Sequence, residues 1–558
     1  MNSNDFSHTN KSYSLKRRSF INRSLGLGAL AVTPGIASLA FGATVPPVVE
    51  TTAGNVRGYN TQGINTFKGI PYAATPVGKN RFMPPQPAKA WSGVRDALDY
   101  GHGSVGLQLP GQVTPPWMQF SWNINLDRTE DCLNLNVWTP SVNDNKKRPV
   151  MFWIHGGGFT VGSSAAPSYD GENMARLNDV VVVSINHRLN IYGYLDLGSV
   201  LGDDFARSGN VGQLDLIAGL QWVRDNIERF GGDPNNVTIF GESGGGAKVC
   251  TLLTMPGAKG LFHRAVIQSG AALRIAERSQ TQPTVEAFLK ALDLTPKNAA
   301  KKLQQLSQQE LTAAAQKIGQ QYGNGLSPFV DGKDIPRQPF DPDATDVSAD
   351  VPIMIGYNRT ELTVWFADPS FKDKEFGFDE AGVRQRLKTT MDDKQMDEVI
   401  AIYKRAYPKA SPSDIYYYIS TDRSVGRNSI LIAERKAALG KAPAYLYRFD
   451  WETPYEGGYL KTPHTAEIPF VFNNMALPVV QFSFGDDIKT LELGRKMSAA
   501  WGAFARTGNP SGPLGRWPAY SAQNRGQMLI SNDSKVVNDP VKEGREYFLN
   551  MPSRRPIG

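Results

Sequence analysis

The chain has 558 residues, 41% of them hydrophobic, and a formal net charge of +7. Residues 1–43 hold five Lys/Arg against one acidic residue, so the remainder is close to neutral. That balance excludes an extended nucleic-acid surface, and two cysteines exclude a disulfide-stapled fold.

The first element in chain order is an export signal. Ser14-Leu15-Lys16-Arg17-Arg18-Ser19-Phe20-Ile21-Asn22 resembles a twin-arginine motif, and a modestly apolar run from Leu25 to Phe41 follows. Pro34 and several glycines make this run too weak for a stable transmembrane helix. We expect cleavage after Ala40, Gly42 or Ala43, delivery to the periplasm or the medium, and no stable membrane insertion afterwards. Residues 44–558 are then expected to form one domain.

Apolar, β-branched runs recur at Val150–Ile154, Val180–Ile185, Val237–Phe240, Ala265–Gln268, Val351–Gly356 and Tyr445–Phe449. Helical stretches separate them, which predicts an α/β fold with a central, mostly parallel sheet covered on both faces. Between Asn210 and Phe230, Leu214, Ile217, Leu220, Val223 and Ile227 recur at helical spacing. Two mostly helical insertions, near 275–350 and 365–440, fall outside the strand pattern. No repeats, metal-ligand clusters or dinucleotide fingerprint occur, so no cofactor is expected.

Asn236-Val237-Thr238-Ile239-Phe240 reads as a strand and Ala247-Lys248-Val249-Cys250-Thr251-Leu252-Leu253 as a helix. Between them stands Gly241-Glu242-Ser243-Gly244-Gly245-Gly246. A strand, a tight glycine turn and a helix form a nucleophile elbow, which would hold the Ser243 hydroxyl clear at the head of a sheet. The strand Val150–Ile154 runs into His155-Gly156-Gly157-Gly158-Phe159. Its glycines, together with Gly244, predict an oxyanion hole built from the N–H groups of Gly157, Gly158 and Gly244.

Such a serine needs an acid and a histidine, which follow it in that order. Of six histidines only His263 and His464 follow Ser243, and no Asp or Glu lies between Gly244 and Phe262. His464 is therefore the expected base. Two acids fit the loop after a central strand: Glu361, in Asn358-Arg359-Thr360-Glu361, and Asp450, after the strand Tyr445–Phe449. The residues alone leave both open.

From about Val48 to Tyr520 the sequence resembles the type B carboxylesterases, the α/β-hydrolase branch that includes cholinesterases and bacterial para-nitrobenzyl esterases. The resemblance rests on Phe67-Lys68-Gly69-Ile70-Pro71-Tyr72-Ala73, Arg81-Phe82, Glu130-Asp131-Cys132-Leu133-Asn134-Leu135-Asn136-Val137-Trp138, Phe230-Gly231-Gly232-Asp233-Pro234 and the elbow. It implies an α/β-hydrolase fold and a catalytic triad of Ser243, Glu361 and His464, favouring Glu361 over Asp450. It also implies that the insertions wall a deep pocket.

Three departures from the family pattern stand out. Cys132 lacks the upstream partner found in cholinesterases, Leu362 replaces a usual glycine, and His187 replaces a usual tyrosine. Trp117 and Trp122 lie in the segment where cholinesterases bind choline, but aromatics there ordinarily form pocket wall. The expected activity is hydrolysis of small-molecule carboxylic esters through an acyl-enzyme. The alternatives are amide, carbamate or thioester hydrolysis by the same residues, or a non-catalytic binding module.

Overall fold

The computed structural model describes residues 45–106, 114–122, 126–322 and 325–551, without the side chains of 320–322. The expected signal, 1–43, lies outside the described residues. Pro46–Gly558 forms one compact unit.

Eleven strands make the main sheet. In chain order they are β1 (Tyr59–Thr61), β2 (Ile64–Pro71), β3 (Asn134–Thr139), β4 (Arg148–Ile154), β5 (Val181–Ile185) and β6 (Gly232–Glu242). Then follow β7 (Arg264–Gln268), β8 (Ile353–Asn358), β9 (Ala444–Phe449), β10 (Gly526–Ile530) and β11 (Lys535–Asn538). The spatial order is β11-β10-β9-β8-β7-β6-β4-β5-β3-β2-β1. The block from β5 through β10 is parallel, and the flanking pairs are antiparallel.

Alternate residues of each strand enter different cores, because successive side chains point to opposite faces. Val150, Phe152 and Ile154 of β4 join one core; Met151 and Trp153 join the other. Likewise Ile353 and Ile355 of β8 face one side and Met354 the other. A sheet buried on both faces favours apolar residues at successive positions, which explains why these runs stand out in the sequence.

The first core is covered by α1 (Val211–Asn226) and α2 (Gly244–Leu252). All five residues that predicted α1 are buried, with Ile227 in a short 3₁₀ turn that extends it. The insertions contribute α3 (Gln282–Ala291), α4 (Pro296–Gln305) and α5 (Gln308–Tyr322), then α6 (Asp393–Ala406), α7 (Pro412–Thr421) and α8 (Arg427–Ala438). Capping boxes at Thr295, Asp392 and Ser411 start α4, α6 and α7. The opposite sheet face is covered by α9 (Ile488–Thr507), through Leu493, Met497, Ala500, Trp501 and Phe504.

The sequence reading missed β1 to β3 and β10 to β11 as strands. β3 contains Asn134 and Asn136, which suit no apolar-run template. Both asparagines are nonetheless buried, and Asn136 Nδ2 donates to Ser164 and Ser184. Tertiary hydrogen bonds satisfy what local pattern would reject. No helix among the described residues is long and apolar enough to cross a membrane.

Candidate active site

Ser243 joins β6 to α2 with φ 56° and ψ −124°, a backbone conformation that a non-glycine residue adopts only under strain. The surrounding packing over-determines it. The Ser243 N–H donates to Gln268 O at 2.8 Å. A Cβ on Gly245 would lie 2.1 Å from Ile154 O, so the turn closes only because this position is glycine.

The loop after β4 meets the start of α2. A Cβ on Gly244 would stand 2.2 Å from Gly158 O, so the two backbones are in direct contact. Gly157 and Gly158 both have positive φ, 91° and 59°. Among the described residues neither N–H donates to a protein acceptor. Gly244 is the first residue of α2, where the N–H has no partner within the helix. Three amide donors free of protein acceptors are thus gathered beside Ser243.

Glu361 opens a 3₁₀ turn directly after β8, and His464 lies in the loop beyond β9. His464 Nδ1 is 2.5 Å from Glu361 Oε2, and the His464 N–H donates to Glu361 O at 3.3 Å. The other carboxylate oxygen of Glu361 accepts the Asn358 N–H at 2.8 Å. Asp450 does not approach the histidine. Its two oxygens take a bidentate pair from Arg448 at 2.6 and 2.8 Å. His263 is also elsewhere: its Nδ1 accepts the Val237 N–H at 3.1 Å.

Two further carboxyls surround the imidazole, and the sequence reading gave neither a role. Glu242 Oε1 lies 3.2 Å from His464 Nε2. Glu467 accepts from Asn358 Nδ2 at 2.7 Å and from Gln268 Nε2 at 3.2 Å. Burial pushes the Glu242 carboxyl well above its usual range, and His464 partly opposes this. Glu467 is raised by burial and by Glu361. For His464, burial lowers basicity, but Glu242 and then Glu361 outweigh it and hold the imidazole above its ordinary value. Their positions beside Ser243 and three residues past His464 were the available signals, but a carboxylate in a motif carries no indication of its burial.

Trp117 is a core residue, edge-on to Phe120 at 5.1 Å and tilted against Phe484 at 5.7 Å. Trp122 is half-buried against the same core. His187 is buried and stacked on His155, ring centroids 4.7 Å apart. Cys132 and Cys250 are buried free thiols.

The carboxylesterase family model matches residues 45–548. The para-nitrobenzyl esterase of Bacillus subtilis is 36% identical over 90% of this chain and 98% of its own length. The phenmedipham hydrolase of Pseudarthrobacter oxydans is 31% identical over 88% of this chain and 96% of its own. Among solved structures, a Geobacillus stearothermophilus carboxylesterase superposes with a TM-score of 0.77 at 37% identity, covering 90% of this chain and 99% of that one. The fold, the family match across nearly all of the described chain and these esterase relatives agree: the chain belongs to the carboxylesterase family of α/β-hydrolases and is a carboxylic ester hydrolase.

Proposed function

We propose that the enzyme cleaves carboxylic esters through an acyl-enzyme on Ser243, with His464 as base, Glu361 as its orienting acid, and Gly157, Gly158 and Gly244 as the oxyanion hole. The observation that carries this reading is the 2.5 Å contact between His464 Nδ1 and Glu361, with Nε2 turned toward the residue preceding Ser243. An imidazole held at Nδ1 presents Nε2 to take a proton.

In this reading His464 Nε2 takes the Ser243 proton as Oγ attacks the ester carbonyl. The amide N–H groups stabilise the resulting oxyanion. His464 returns the proton to the departing alcohol, and water then hydrolyses the acyl-enzyme by the same steps. Glu361 holds the tautomer and stabilises the imidazolium.

The same sequence of steps would serve an amide, carbamate or thioester, so a substrate panel decides among acyl classes. The test pairs that panel with Ser243→Ala. Turnover of every hydrolysed ester should fall by about 10⁶-fold, with an unchanged thermal melt. Retention of more than a few per cent of wild-type activity would remove Ser243 from the mechanism.

A further inference from the structure

Lys248 lies inside α2, five residues past Ser243, with no exposed surface. Its Nζ donates to the Gly158 carbonyl at 2.7 Å and stands 5.0 Å from the centre of the Phe159 ring. No carboxylate among the described residues offsets its burial, which alone brings its pKa down to about 7. The adjoining imidazoles of His155 and His187 are themselves kept neutral, by burial first and by Lys248 second. An amine buried among uncharged groups is costly, so it needs a compensating role.

Helical side chains lean toward the helix N-terminus. From position 248 that lean carries Nζ back over the turn to Gly244, where α2 touches the Gly158 backbone. The loop it grips is also held by Phe159 packing edge-on to Tyr194, ring centroids 5.2 Å apart, and by a few hydrogen bonds, none of them to the Gly158 carbonyl. Thr160 and Val161 donate to Gly157 O at 3.3 and 3.1 Å, and Asn190 donates to Phe159 O at 2.7 Å. Glycine supplies no side chain to lock its own dihedrals.

We propose that Lys248 is a positioning residue for ester hydrolysis: by binding the Gly158 carbonyl it clamps the glycine loop to the helix bearing Gly244, so that the oxyanion donors share one fixed geometry. This rests on the oxyanion-hole reading above. The donors come from two separate backbones, and Lys248 is the side chain that ties one to the other. A displacement of about 1 Å at such a site costs about 10²-fold in rate, and the interactions concerned act in the transition state rather than on bound ester.

The test uses the full chain with Lys248→Met, which keeps the apolar stem and removes the donor. Active sites are counted by fluorophosphonate titration run to completion. Kinetics on a para-nitrophenyl ester are compared with inhibition by an aryl trifluoromethyl ketone, which adds to the serine as a tetrahedral oxyanion. We expect kcat per titrated site to fall about 10- to 100-fold. KM should stay within threefold, and the ketone should weaken by the same factor as kcat.

A fall in kcat of less than tenfold, a loss confined to KM, or a loss explained by fewer titratable sites overturns the proposal. If Lys248→Met does not fold, Lys248→Leu, which also lacks a donor, is judged by the same limits. The wild type separates the two levels of the argument. If it matches Ser243→Ala, the catalytic reading fails; if it is active and Lys248→Met equals it, only the role of Lys248 falls.

Discussion

The imidazole of His464 stands between two carboxyls, Glu361 Oε2 at 2.5 Å from Nδ1 and Glu242 Oε1 at 3.2 Å from Nε2. Glu361 holds Nδ1. Glu242 faces Nε2, the nitrogen proposed to accept the serine proton, and it adjoins Ser243 in the chain.

This arrangement sets the pH dependence. Both carboxyls raise His464, so its neutral, proton-accepting form appears only at higher pH. Activity should therefore climb with pH through a value above 6.5. Glu242→Gln removes the charge that does most to raise His464, so the climb should move to lower pH, by about 1 unit or more. The pH profile of kcat/KM for both proteins measures it. An unmoved limb would mean that Glu242 carries no charge while His464 titrates.

Glu361 and Asp450 should separate cleanly by readout. Glu361→Gln should lower kcat by about 10⁴-fold, because the imidazole loses its anionic partner. Asp450→Asn should act mainly on stability, because it strips the buried Arg448 of its bidentate partner. Breaking a buried pair from one side costs about 3–5 kcal/mol. Turnover and thermal melts of both variants should rank them in opposite orders.

Burial pushes both thiols, Cys132 and Cys250, up to about 12. Neither should react with a thiol reagent at neutral pH while the protein is folded. After denaturation without reductant, titration should count two sulfhydryls. A count of zero would show an oxidised pair and overturn the free-thiol structure.

Export is the remaining expectation. With Arg17→Lys and Arg18→Lys together, the protein should stay in the cytosol, uncleaved and active, since it needs no disulfide. Fractionation and an ester assay measure this. Normal delivery of the doubly substituted form would point to another route.

The sequence alone marked the elbow and most of the sheet, and it singled out the proposed base. Strands buried on both faces are largely apolar, and the elbow needs glycine where backbones touch, so both leave local marks at Val150–Ile154 and Gly241–Gly246. Counting histidines after Ser243 left His464 without using any coordinates. The residues alone left the acid open; the family resemblance favoured Glu361, and the tertiary structure brings Glu361 rather than Asp450 to His464. Glu361 and Asp450 occupy equivalent loops after neighbouring strands, and what separates them is that Arg448 lies within reach of one and His464 of the other. Glu242, Glu467 and Lys248 were invisible for a related reason: a charged residue reads as solvated in a sequence. Whether it is buried, and which atom satisfies it, depends on distant chain segments, as with Gln268 and Glu467, 199 residues apart.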